Sequence, residues 1–419
     1  MGDNEQKMDT NVNKKTREIP NVPNLRFKTY TSDWTKYRCS DFLKAYSTNS
    51  LSWDKLSYED SEGVLNLHYG LIHNGAPTLI DTSLYNLPKI IEAVPKSYEL
   101  CKNGDVIFAD ASEDTNDICK PVEICKTNGK PIVSGLHTIH TRDYKDLTCV
   151  GFKGYLFSSK SFHKQVFRLT QGTKIFSINF SNFREMGVSI PQKEEQLKIV
   201  GFLSKIDERI STQSKIIGNL ESLIKGIRQR IFSASNFDIR NSKEYELGSF
   251  LSEYSKKNIE NNLISVSVGK YGIRRRDEIY SKELSADYSK NKVIEKDSLI
   301  IGMGSTQIDI GILSKDEKYC VSPAYTTYKI SGINSDYLRE YLIHLNSLLS
   351  KRYMVIGARQ GKSVNKSELM QHVLLVHSIE KQLQVVDIFN AFYDKLQKEK
   401  DILSLYKKQK AYLLSNMFI

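Results

Sequence analysis

The densest basic cluster in the second half of this chain is Arg274, Arg275 and Arg276, which follow Lys270 and Tyr271. Guanidinium forks of this kind clamp phosphates or read guanine edges, and a solvated face is the plainer alternative. Asp277 and Glu278 come next and are placed to neutralise part of the charge. In the first half the weaker counterpart is HTIHTR, with His137, Arg142 and nearby Lys145 as candidate contacts. His137 and His140 form an i, i+3 pair with no third ligand in view, a pattern that more often marks surface or core histidines than a metal. The run GARQGKS, from Gly357 to Ser363, has three residues before its Gly-Lys, whereas a phosphate-cradling loop needs four. It reads as a loop parallel to QGTK at Gln171 to Lys174, leaving Arg359, Lys362 and Lys174 to touch phosphates.

Several catalytic signatures are absent from the chain. No two prolines are adjacent and none precedes Asp, so the [DN]-P-P-aromatic pocket and the simple Pro-Asp nuclease pattern are both missing. There is no Gly-x-Ser-x-Gly elbow and no His-Glu-x-x-His helix. Six cysteines without a C-x-x-C pair predict free structural thiols, with no metal site and no disulfide framework. With 60 Lys+Arg against 49 Asp+Glu, the net charge of +11 suggests a polyanionic partner, most commonly nucleic acid. The first 20 residues read as a solvated tail with no apolar signal region, and no apolar run is long enough to span a membrane, so a cytoplasmic location is expected.

The elements that must position these groups are two long helices. From Glu194 to Phe232, Leu203, Ile210, Ile217, Ile224 and Ile231 share one heptad position, and Ile206, Gln213, Leu220 and Ile227 share its partner. Eight of these nine seam sites are apolar, which describes a helix built to lie along another helix. Its length would be roughly 58 Å at a rise of about 1.5 Å per residue. The stretch Glu380 to Ile419 repeats the pattern at an offset of 186: Leu203 aligns with Phe389, Ile210 with Leu396, Ile217 with Leu403 and Ile227 with Leu413. Phe392 and Tyr406 continue the second seam, and Gln213 falls on Glu399. The register holds without a gap from Asn179/Asn365, the signature of an internal duplication. Before each helix lies a loop-rich stretch of short β-branched runs, read as an α+β head. The heads diverge far more than the helices; Asp105-Val-Ile-Phe resembles Asp297-Ser-Leu-Ile only at a shifted offset of 192. Antiparallel packing of the helices would give two heads related by a pseudo-two-fold axis, touching two separated patches of a duplex.

Four features together resemble the specificity subunit of type I restriction-modification enzymes, over nearly all of the chain after residue 20. They are NVPNLRF followed by Trp34, the boundary Val188-Ser-Ile190-Pro191 leading to Glu195-Gln196 and Ile199, the heptad helix, and a degenerate second copy of this arrangement. VGKYGIRRRDEIY and SPAYTTY also look like segments of such subunits. The resemblance implies an α+β fold of two globular target recognition domains separated by two long antiparallel coiled-coil helices. It divides the chain into a flexible tail (1–20), a first recognition domain (21–178), a first spacer (179–235), a second recognition domain (236–364) and a second spacer (365–419). By the same resemblance each head reads one half of a split, asymmetric DNA sequence, and the helices set the gap. The helices also dock two modification subunits that use S-adenosylmethionine to methylate adenine. Restriction and translocation subunits using ATP and magnesium join that core. The chain itself then has no catalytic residue, no metal and no cofactor. The second copy departs from the pattern where His377 replaces Pro191, Lys381 replaces Glu195 and Lys410 stands at the position of Ile224. The alternatives are a coiled-coil scaffold joining two binding domains for a non-DNA ligand, and a stand-alone DNA enzyme.

Overall fold

A computed structural model of the chain describes residues 21–59, 62–91, 98–114, 117–170, 172, 175–233, 242–269, 272–280, 287–356 and 361–419. The solvated tail expected at 1–20 lies outside them. The chain forms two compact units, the first from Met1–Gln213 with Ile402–Ile419 and the second from Ser214–Asp401. Two long helices pass through both: the first spacer helix, Lys193–Phe232, and the second, Ile379–Asn416. Glu194 and Glu195 in the first turn and Arg230 in the last complement the helix dipole of the first spacer.

In the first unit a five-stranded sheet runs in the order Leu43–Tyr46, Thr138–Asp143, Val106–Ala109, Pro121–Lys126, Leu79–Asp81, antiparallel except at the last pair. A four-stranded sheet (Ile132–Ser134, Leu65–Leu67, Lys89–Ile90, Leu56–Ser57) completes the head. The core gathers Trp34, Phe42, Phe108, Phe152, Tyr155 and Phe183 with Leu203 and Ile206 of the first spacer and Leu413, Met417 and Phe418 from residues 402–419. In the second unit the sheet Leu251–Tyr254, Thr326–Ile330, Ser298–Met303, Ile308–Leu313 repeats the first four strands in order, and helix Ser335–Tyr353 packs on it.

The duplication is written in hydrogen bonds. Asn179 and Asn365 each cap a five-residue helix by accepting from the amide three residues on, which satisfies an otherwise orphaned donor. Gly187–Ile190 pairs with Thr35–Arg38, and at the offset of 186 Val373–His377 pairs with Ser242–Glu246. Gln196 donates to the Pro191 carbonyl at 2.8 Å and accepts from Cys149 N at 2.8 Å; Gln382 does the same with His377 (2.9 Å) and Asn334 (3.0 Å). In the heads the strand ladders correct the offset of 192. His140 faces Ile107, while its counterpart Thr327 faces Ile300. The equivalent of Asp105 is therefore Ser298, one residue beyond Asp297.

Seam residues are covered within each unit. Leu203, Ile206, Ile224, Phe389 and Leu413 are fully buried, Ile217, Leu220 and Leu396 nearly so, and Ile210, Ile227, Phe392, Leu403 and Tyr406 half-buried. In the second unit Arg228 lies over Phe389 and Glu221 pairs with Lys400, so the helices run antiparallel there. Lys410, which broke the apolar pattern, is answered by charge. In the first unit its ammonium lies 2.6 Å from Asp207, whose other oxygen accepts from the Tyr155 hydroxyl at 2.9 Å. The second unit has the same device with acid and phenol exchanged: Glu340 stands at the place of Tyr155 and accepts at 3.0 Å from Tyr393, the counterpart of Asp207, with Arg228 as the cation at 2.8 Å. Each head is thus fastened to its helices by a covered phenol, carboxylate and cation. Burial comes first among the causes that raise both phenols, Tyr393 to about 12.

Candidate nucleic-acid interface

The predicted contact residues divide sharply once placed. Arg142 is withdrawn from any ligand: its guanidinium makes two 2.8 Å bonds to Asp105, one of 2.9 Å to Glu99 and one of 2.9 Å to the Leu100 carbonyl, and lies on the Tyr46 ring. The hydrogen bond to Asp105 is the main reason its pKa is raised. Burial pushes the Asp105 carboxyl up, and the bonds from His140 and Arg142 outweigh it, leaving the group below its ordinary value. Cys101, Asp105 and His140 bring three donor atoms within 4.8 Å of one another. Burial pushes the Cys101 thiol up, and the guanidinium already supplies the positive charge that a metal would bring. The chemistry is that of a buried ion-pair network holding adjacent strands together.

His137 stays at the surface with its ring half-exposed, Nδ1 3.4 Å from Asp110 and its edge against Tyr69. Its backbone is left-handed, with φ of 52°, a conformation uncommon away from glycine. His68, also beside Tyr69, is partnered by the Gly70 amide and by the ring of Trp53. A cavity of about 370 Å³ on the same unit is lined by Lys44, Tyr144, Phe180 and Arg184 among others. Its lining comes from three separate segments, so no local pattern could have announced it.

In the second unit the arginine triplet is not uniform. Arg275 is clamped by Asp277, with bonds of 3.1 and 2.6 Å, and has Glu278 at 3.9 Å. Arg276 donates to Ser267 and lies over the Tyr280 ring. Arg274 is exposed on strand Gly272–Arg275 with no partner among the described residues. Lys362 is exposed and donates to the Ser305 carbonyl at 2.5 Å. Lys174, Lys270, Tyr271 and Arg359 lie outside the described residues. Sequence reasoning missed Asp309, which faces Gly302 across the hairpin, and Tyr325, whose ring occupies the space a side chain at Gly302 would need.

Residues 125–222 match the family described as the type I restriction modification DNA specificity domain. A protein of Methanocaldococcus jannaschii named as the type I restriction enzyme MjaX specificity subunit is 22% identical over 332 residues, covering 73% of this chain and 76% of its own. The crystal structure of a type I restriction-modification S subunit from M. genitalium matches 95% of this chain and 99% of that one, with a TM-score of 0.52 and 16% identity. A second structure, from work on complex assembly and conformational transition of the type I restriction-modification system, matches 91% and 96%, with a TM-score of 0.57 and 14% identity. Domain match, relative and shared fold agree with the duplicated architecture: residues 125–222 match the type I restriction modification DNA specificity domain, and the chain shares the fold of type I restriction-modification S subunits.

Proposed function

We propose that this non-catalytic DNA-recognition subunit reads a bipartite, asymmetric double-stranded target, one half with each head, and that its spacer helices set the gap between the halves. The observation that carries the reading is the contrast within the duplication. The caps, glutamine clamps and anchor sites repeat at a fixed offset, whereas the equivalent hairpin edges carry different side chains: Asp110 and His137 in one head, Asp309 and Tyr325 in the other. Repetition of the frame with divergence of the edges is what reading two different half-sites requires.

The finer assignments belong to the same proposal. The adenine methylation and the restriction directed to that target are carried out by separate subunits in the cytoplasm, with S-adenosylmethionine, ATP and magnesium bound to them and not to this chain. Two modification subunits dock on the helices. In support, each helix leaves apolar side chains in solvent at matching positions, Leu197 with Leu383 and Phe202 with Ile388. Recognition domains at 21–178 and 236–364 with spacers at 179–235 and 365–419 remain the working division. Methylome mapping of cells expressing this chain with its cognate modification subunit tests the reading: a two-part motif with a fixed gap is expected, and methylation at a continuous motif, or none, would overturn it.

A further inference from the structure

The two heads place an unsatisfied carboxylate at the same corner of the fold. In the first, strands Val106–Ala109 and Pro121–Lys126 form a hairpin, and Asp110 follows the first strand where Thr138–Asp143 begins alongside. The Asp110 amide donates to the His137 carbonyl at 3.1 Å. Its Oδ1 is buried without a hydrogen bond, the His137 ring being 3.4 Å away. In the second head, Ala109 becomes Gly302, and Asp309 faces it on the opposite strand. Asp309 is half-buried and takes no hydrogen bond among the described residues. Its carboxylate sits in a niche between glycines: a Cβ on Gly304 would be 2.5 Å from Oδ1 and one on Gly269 3.9 Å away. Burial pushes both carboxyls above their ordinary value.

A half-buried carboxylate without a donor is costly in the free protein, and donors relieve that cost. Phosphate offers none. Base edges do, because cytosine N4 and adenine N6 present amino groups in the major groove. The two corners lie on opposite strands of equivalent hairpins, so they were not copied from one ancestral side chain. Their agreement in place and in a shortage of donors, with only the His137 ring at 3.4 Å from Asp110 and none among the described residues at Asp309, favours a ligand with N–H groups. In the first head, His137 holds a left-handed backbone beside the carboxylate, the kind of local strain that concentrates at functional sites. In the second, the glycine walls let a large ligand approach the backbone closely.

We propose that Asp110 in the first head and Asp309 in the second are base-reading residues, each accepting a hydrogen bond from the exocyclic amino group of a cytosine or an adenine in its half-site. The assignment rests on the DNA-reading role and names where that reading happens. Asp110→Asn and Asp309→Asn keep shape while removing a pure acceptor. The test selects a pool of randomised duplex DNA on the full chain co-expressed with its modification subunits, then sequences the bound fraction. Each variant is expected to lose about five- to a hundred-fold of discrimination at one position of one half-motif, with the other half-motif unchanged. A cytosine or an adenine at that position in the wild-type motif identifies the base. An unchanged motif with unchanged affinity, or a uniform loss of affinity with the motif retained, overturns the assignment while leaving DNA reading intact. A wild-type chain that enriches no motif overturns the DNA-reading role itself. Should an Asn variant fail to fold, Asp→Glu at the same position decides, because the longer acid must alter preference at that one base and nowhere else.

Discussion

Lys410→Met is the most direct probe of how the first head is fastened. The Lys410 ammonium lies 2.6 Å from Asp207 and 3.0 Å from the Thr78 hydroxyl, and the side chains of Lys410 and Asp207 are 19% and 27% exposed. A unit-charge pair about 4 Å apart at an effective dielectric of about 20 is worth roughly 4 kcal/mol, an upper bound that desolvation and residual exposure cut by about half. Loss of the cation leaves Asp207 with the Tyr155 hydroxyl as its remaining partner at 2.9 Å, and a destabilisation of about 2 kcal/mol is expected. With a urea slope of about 2 kcal/mol/M the midpoint should fall by about 1 M. Tryptophan fluorescence reads the right unit, since both tryptophans, Trp34 and Trp53, belong to it and Trp34 packs edge-on against Phe418. The triple change Lys410→Met, Asp207→Leu, Tyr155→Phe should recover stability to within about 1 kcal/mol, because an apolar trio of similar volume replaces the charged one. An unmoved midpoint in the single variant, or a triple variant as weak as the summed singles, would refute the reasoning.

Asp105→Asn should cost about 3 kcal/mol at pH 7, since it strands the mostly covered Arg142. Because the folded carboxyl titrates below its ordinary value, its contribution is present above about pH 3.9 and disappears as pH falls through the lowered value. The gap between wild type and variant in urea midpoint should therefore shrink in acid, and a constant gap would exclude the ion pair as its cause. Gly154→Ala should lose about 1–3 kcal/mol by thermal denaturation, because the new Cβ would lie 2.9 Å from Leu79 and 3.1 Å from the Thr78 carbonyl, which the sheet cannot move. Arg274→Ala should lower affinity for duplex DNA by about 1–3 kcal/mol, whereas Arg275→Ala, whose fork is already held by Asp277, should change it by less than about 0.5 kcal/mol. Titration of a fluorescent target duplex compares them, and equal losses would contradict the division.

The helices were legible because a seam repeats every 3.5 residues and the duplication prints it twice; the same offset then located Asn179/Asn365 and Gln196/Gln382, whose side chains cap and clamp alike. The heads were far less so. Their strands are two to six residues long and pair across long sequence separations, so the one-residue difference between Asp297 and Ser298 is decided only by the facing strand. Arg142 looked like a free cation because nothing local shows that Asp105 lies beneath it. In the arginine triplet, by contrast, the neutralising Asp277 was adjacent in sequence and visible there. Asp110 and Asp309 carried no signal, since an acid in a basic protein attracts no notice until its missing donor is seen.

Residues 402–419 supply Leu413, Met417 and Phe418 to a core that otherwise belongs to residues before Gln213. During synthesis at about 5–20 residues per second, the ribosome spends roughly 10–40 s on residues 214–401 before that closing segment is made. Throughout this interval Trp34 and Phe152 lack the Phe418 ring that covers them in the finished fold. The first unit is begun before the second and closed only after it, so a ribosome that stops within residues 214–401 releases a chain with an open hydrophobic core, a ready substrate for proteases and chaperones.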